Sequence, residues 1–388
     1  MKKNILNFAI LCLLCCGFMQ FLPSKIHFTS ANNDEITINS TASYLIEISS
    51  NTEILANNAD KKLPIASMTK LATLAIIFDE IDCGRLDPED YISISQTAAA
   101  VEGSSAFLDA GSKYKVKDLI KTIVMVSAND SCVALAEKIS GTEELFAKRM
   151  NNLAADLKLA NTHFENCTGL PSPSHFSSAR DIAKIYTLVC DNKLYKEYSK
   201  IWMEDFIHPS GRKTGLVNTN RLIKTYAGCT GGKTGHTNEA KYCLTASAER
   251  SGLKFIAVVI GAETSKIRFA ETTKMFNYGF ANYLVKNLVS SNLPLARIEV
   301  RGAQDKICEV YANSEFSVLE KKGEEKHYST KLLLPDTLKA PISQEDSIGK
   351  ILVLNENNIV VKEIDLHTHQ SIEKIKFGDA FKTIINKW

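Results

Sequence analysis

The sequence predicts an α+β protein of two domains, the second small and all-β, closed by an amphipathic helix. Three observations predict it. The 388 residues are 45% hydrophobic, too long for one average domain and ample for a large core. A run of helical patterns fills the first half, and the period switches to two after Gly235. Beyond Asn292-Leu293-Pro294 only short alternating segments follow, separated by turn residues. With Gly 19 and Pro 9 the chain is neither collagenous nor disordered. Its 46 basic and 44 acidic residues leave a net charge of +2. A nucleic-acid binder working through phosphates carries a basic excess, so that partner is not expected.

The first element is a targeting segment. Lys2 and Lys3 precede an apolar run from Ile5 to Leu22, broken only by Asn7, Gly17 and Gln20. A basic start and a hydrophobic stretch read as a secretory signal over residues 1–31, with Thr29-Ser30-Ala31 offering small residues for cleavage. The alternative is an uncleaved anchor, since the run approaches the roughly 20 residues that span a bilayer. Both place the rest of the chain outside the cytoplasm, extracellular or membrane-associated. A lipoprotein signal is disfavoured, because no small residue precedes Cys15 or Cys16.

A first domain is expected over residues 32–291. Alternation of Tyr44, Ile46 and Ile48 marks a strand over Ser43–Ile48. From Ser67 to Asp82 the chain reads as a helix buried nearly all round, stopped by Cys83-Gly84. Further helices are predicted at Val116–Val126, Ser131–Ile139, Glu143–Leu159 and Asp181–Cys190. Tyr242–Ala248 and Leu253–Gly261 form a hairpin around Glu249-Arg250-Ser251-Gly252, and Arg268–Val289 returns to helix. The β domain is placed at 297–377. Over 378–388, Phe381, Ile384, Ile385 and Trp388 continue a helical stripe from Phe377 and Ala380. Such a stripe caps a core or lies in a membrane interface, and Lys382, Lys387 and the terminal Trp favour the interface.

Ten cysteines suggest disulfides until they are placed. Three lie in the signal, and the remaining seven are scattered without a C-x-x-C pair. They read as small buried hydrophobes. Among eight histidines there is no H-E-x-x-H, and His367 with His369 reads as a solvated strand face. No metal and no cofactor is expected.

Three short motifs carry the chemistry. Ser67-Met68-Thr69-Lys70 is an S-x-x-K, a pattern that Ser112 with Lys115, Ser210 with Lys213 and three other pairs also match. Only Ser67 opens a long apolar helix, which would hold Lys70 beside its hydroxyl on one face. Ser127-Ala128-Asn129 is an S-x-N in a break between helices. Lys233-Thr234-Gly235 leads into the predicted hairpin, unlike its decoy Lys213-Thr214-Gly215. A lone match is noise; all three, in order and each in a suitable element, are not.

A serine hydroxyl is a poor nucleophile without a base. Lysine is that base only when neutral, which needs desolvation or a nearby positive charge. Burial of Lys70 supplies the first and Lys233 across a cleft the second. Ser127 can relay a proton, and Asn129 can hold Lys70 and a substrate amide. The strand bearing Lys233 can pair with an extended peptide while Thr234 and Lys233 receive a carboxylate.

The triplet resembles that of the penicillin-binding proteins and serine β-lactamases. The longer forms Ala66-Ser67-Met68-Thr69-Lys70-Leu71, Lys233-Thr234-Gly235-His236-Thr237 and Asn161-Thr162-His163-Phe164 are similar to low-molecular-mass D-alanyl-D-alanine carboxypeptidases, peptidase family S11. Arg268-Phe269 and Asn277-Tyr278-Gly279-Phe280 add to the likeness, which covers residues 35–285 well. The resemblance implies a β-lactamase/D,D-peptidase-like domain, with a five-stranded antiparallel sheet flanked by helices. It implies Ser67 as nucleophile, Lys70 as general base and Ser127 as relay. Asn129, Lys233, Thr234, Gly235, His236 and Thr237 would bind substrate, with backbone N–H groups of Ser67 and His236 forming the oxyanion hole. The partners implied are a peptidoglycan stem peptide ending in D-Ala-D-Ala, β-lactam antibiotics and the outer face of the cytoplasmic membrane.

The chain departs from the family pattern at three places. Cys229-Thr230-Gly231-Gly232 replaces V-D-G-I, Lys241 replaces a common Gly, and Cys167-Thr168 precedes Gly169 where His is frequent. Glu165 lacks the E-x-x-x-N spacing of a class A deacylating glutamate and reads as a surface acid. A β-lactamase and a non-hydrolytic module that binds cell-wall peptide or penicillin are the competing readings.

Overall fold

The computed structural model describes residues 36–376. The signal over 1–31 and the terminal helix over 378–388 therefore lie outside the described residues. No helix among the described residues is long and apolar enough to cross a membrane.

The fold is α+β, a catalytic domain built on one sheet followed by an all-β domain. The sheet contains β1 (Ala42–Glu47), β2 (Thr52–Asn57), β3 (Cys229–Thr237), β4 (Lys241–Arg250) and β5 (Leu253–Ala262). All pairs are antiparallel in the order β2-β1-β5-β4-β3, which leaves β3 at an edge. Alternate residues of β5 face opposite sides, so both faces are buried. Ile256, Val258 and Ile260 join the core under the helices, whereas Phe255, Ala257 and Val259 pack with Met275 and Phe276 of α6 (Ser265–Asn282).

The helices on the first face are α1 (Lys70–Asp82), α2 (Val116–Val126), α3 (Asn129–Ser140), α4 (Glu143–Asp156) and α5 (Ala179–Cys190). Ser178 caps α5 through its hydroxyl, which accepts from Asp181 N–H. The β domain holds a six-stranded sheet around Val310, Val353 and Leu366 and a two-stranded pair, Tyr283–Val289 with Phe316–Lys321.

Four differences from expectation have physical causes. Ser67 does not open the α-helix: Ala66–Thr69 is a 3₁₀ turn, and the α-helix begins at Lys70. The predicted helix Arg268–Val289 ends at Asn282, because Tyr283–Val289 pairs with Phe316–Lys321 and Val289 enters the β-domain core. The predicted Ser43–Ile48 strand is followed by a second strand, β2, which pairs with it. The decoy Lys213-Thr214-Gly215 starts a strand of its own, Lys213–Val217, paired with Met203–Ile207.

Candidate active site

The turn that carries Ser67 is shaped by a distant glycine. Ala66 adopts a left-handed backbone (φ 48°), and Gly169, at φ 82°, lies against its carbonyl. A Cβ on Gly169 would sit 2.1 Å from Ala66 O, so only glycine permits this approach. Gly235 on β3 is equally constrained, since its Cβ would lie 2.8 Å from Ile65 O and 3.3 Å from Ser67 N. Two glycines thus let the Asn166–Leu170 loop and the edge strand close on Ser67 from opposite sides.

Lys70 is fully buried, while Ser67 is partly exposed. Lys70 Nζ lies 3.0 Å from Ser67 Oγ and donates to Thr168 O at 2.6 Å. Thr168 is fixed by Asn166 Oδ1, which accepts from Thr168 N–H at 3.2 Å and Gly169 N–H at 2.7 Å. Buried His175 ties this loop to the Ser67 turn. Its Nδ1 accepts from Glu165 N–H at 3.2 Å, so Nε2 carries the proton toward Thr69 Oγ1 at 2.7 Å. Thr69 in turn donates to Ala66 O at 2.8 Å. Burial lowers the His175 imidazole to about 4, which keeps it neutral.

Ser127 sits at the left-handed C-cap of α2 (φ 65°) and accepts from Lys233 Nζ at 2.8 Å. Lys233 also donates to Thr234 O at 2.9 Å. Burial lowers the Lys70 ammonium, against the pull of Asp130 and Glu143. Burial first, then the positive charges of Lys70 and Arg268, hold Lys233 well below an ordinary lysine. Two amines enclosed together favour a state in which one is uncharged. Burial pushes the neighbouring Cys132 thiol up to about 12, so it contributes no thiolate. All seven cysteines after the signal are free thiols, and no metal-binding group of His, Cys, Asp or Glu occurs among the described residues.

The remaining predicted residues differ in their contacts. Thr234 Oγ1 donates to Thr219 Oγ1 at 2.8 Å, and the exposed His236 ring lies tilted against Tyr242 with centroids 4.2 Å apart. Thr237 Oγ1 accepts from Ala240 N–H at 3.0 Å. Asn129 is the exception to expectation. Its Nδ2 donates to Glu102 O at 2.5 Å rather than holding Lys70, and its buried Oδ1 has no partner. Gly103 makes this possible, because a Cβ there would lie 2.7 Å from Asn129 Nδ2. Glu165 lies 3.5 Å from His163 on the surface, as expected of a loop acid.

Sequence reasoning missed the carbonyl of Thr168, the hydroxyl of Thr219 and the role of Arg268 as a strut. Arg268 Nη1 donates to Gly235 O at 3.0 Å and Cys243 O at 3.2 Å, bracing β3 against β4. Gly169 was the one available signal for the Thr168 loop.

The site thus holds a serine in contact with a buried lysine and a second lysine–serine pair, with the second lysine carried on the open edge of an antiparallel sheet. The comparisons identify the family. The family model described as D-alanyl-D-alanine carboxypeptidase matches residues 27–264, and that of the penicillin-binding protein 5 C-terminal domain matches 283–374. The D-alanyl-D-alanine carboxypeptidase DacF of Bacillus subtilis (strain 168) is 36% identical over 91% of each chain. DacA of Escherichia coli (strain K12) is 30% identical over 88% of this chain and 85% of its own. The crystal structure of penicillin-binding protein 5 from Haemophilus influenzae superposes with a TM-score of 0.69 at 28% identity, covering 88% of this chain and 99% of that one. This chain belongs to the S11 family of D-alanyl-D-alanine carboxypeptidases, serine-type hydrolases of the low-molecular-mass penicillin-binding protein group.

Proposed function

We propose that the protein removes the terminal D-Ala from peptidoglycan stem pentapeptides through an ester on Ser67, and that β-lactams acylate the same hydroxyl. The contact of Ser67 Oγ with the buried Lys70 amine at 3.0 Å carries this reading. Neutral Lys70 takes the Ser67 proton as Oγ attacks the penultimate D-Ala carbonyl carbon. Backbone N–H groups of Ser67 and His236 receive the developing oxyanion. The C–N bond then breaks as Ser127, held by Lys233, relays the proton from Lys70 to the departing D-Ala amine, which returns Lys70 to its neutral form. Water, deprotonated by Lys70, hydrolyses the ester and restores Ser67.

Substrate is held along the open edge of β3, whose backbone can pair with an extended peptide. Thr234 and Lys233 receive its terminal carboxylate, Gly235 lets the strand that carries them close on the Ser67 turn, and Thr237 lies further along the same edge. The free Asn129 Oδ1 is an acceptor for a substrate amide N–H. In this reading the enzyme works outside the cytoplasmic membrane, where stem peptides are found.

Mass spectrometry after penicillin treatment is the test, paired with D-alanine release from a D-Ala-D-Ala peptide. One slowly lost adduct on Ser67, absent in Ser67→Ala together with D-alanine release, is the expected result. Wild-type activity in Ser67→Ala would sink the mechanism. Rapid turnover of a chromogenic cephalosporin would favour a β-lactamase, and neither adduct nor D-alanine a non-hydrolytic module.

A further inference from the structure

A cavity of about 520 Å³ opens beside the nucleophile, between Ala66 and Thr237. That volume lies within the roughly 300–1,000 Å³ of small-ligand sites. Its walls are mostly apolar, supplied by Leu63, Leu170, Pro171 and Phe176. Two charged residues, Lys62 and Glu239, stand at its rim. Lys62 Nζ lies over the Phe176 ring, 5.1 Å from its centroid, so its charge has a partner. Exposed Glu239 makes no ion pair or hydrogen bond with the described residues, leaving its carboxylate for a ligand.

The strand direction decides which part of a substrate meets this cavity. Thr234 and Thr237 are three residues apart on the open edge of β3, roughly 10 Å at strand rise. On the carboxypeptidase reading, the terminal carboxylate lies at Thr234 and the scissile carbonyl at Ser67. An extended peptide so placed sends its upstream residues past Thr237 and into the cavity. We propose that this cavity is a subsite for the acyl-donor residue preceding D-Ala-D-Ala, and that Glu239 selects a long aliphatic side chain ending in an ammonium. Leu63, Leu170 and Phe176 cover the methylene stem, and the carboxylate meets its tip.

The test compares Nα-acetyl-L-Lys-D-Ala-D-Ala with its Nε-acetylated form, reading kcat/KM for D-alanine release. Their ratio in one preparation does not depend on how much of the protein is folded. The wild type should prefer the free amine by about threefold at low salt, as an exposed charge pair allows. The preference should shrink as ionic strength rises. Glu239→Gln should bring the ratio to about one, and Glu239→Lys should invert it. Equal rates in the wild type, or a preference that survives in Glu239→Gln, overturn the subsite alone. No D-alanine from either peptide overturns the carboxypeptidase reading and the subsite with it.

Discussion

The two domains bury different kinds of side chain. The catalytic domain encloses Lys70, Lys233, Asp130, Glu271 and Arg268, each with hydrogen-bond partners. In the β domain the described buried polar residues are Glu320 and Thr368, and the core is built from Val, Ile, Leu, Ala and Cys. Buried charge opposes stability unless every group is paired. On the proposed mechanism the catalytic domain accepts that cost, because a desolvated amine is what would make Ser67 reactive. The β domain has no such demand and follows the alternating pattern of its strands.

Three measurements would break or sharpen this contrast. Replacing Lys70 with Met should lower the rate of penicillin acylation by about 10²–10⁴-fold, the worth of a positioned general base. The same change should leave the fold intact and raise unfolding stability by about 1 kcal/mol, since an apolar chain replaces a buried amine. A loss of stability with little loss of acylation would show that Lys70 is structural. In the β domain, Leu366→Ala should cost about 2–5 kcal/mol in urea unfolding, because Leu366 is fully buried in that core. Acylation of Ser67 should stay within about twofold, and a larger change would mean that the two domains share one energetic unit.

The third measurement concerns acid. His175 titrates near 4 in the folded protein and at an ordinary 6.5 when unfolded. Between those values the unfolded chain binds more protons, so stability is greatest above pH 6.5 and falls as pH drops through 4. The shift corresponds to about 3 kcal/mol. Urea unfolding across that window should show the loss, and a His175→Gln variant should flatten its slope. An unchanged slope would place the acid sensitivity elsewhere.

Much of the site was legible because its chemistry is written in short, local patterns. Ser67, Lys70, Ser127, Lys233 and Thr234 announce themselves by spacing and by the elements that carry them, and Val116–Val126 was read with its observed ends. Thr168 escaped notice because it contributes a backbone carbonyl, which has no residue signature. Asn129 was given the wrong contact because the competing acceptor, Glu102 O, comes from another loop. Tyr283–Val289 has an apolar pattern that suits helix or strand, and only Phe316–Lys321 alongside it settles the matter.

Periodicity and motif order, both properties of neighbouring residues, were enough to point to the family, the candidate serine and the α+β plan. The left-handed turn at Ala66, the desolvation of Lys70 and the approach of Lys233 to Ser127 arose only when residues about a hundred positions apart packed together. Charge state and reach depend on everything that surrounds a group, and linear sequence does not display that enclosure.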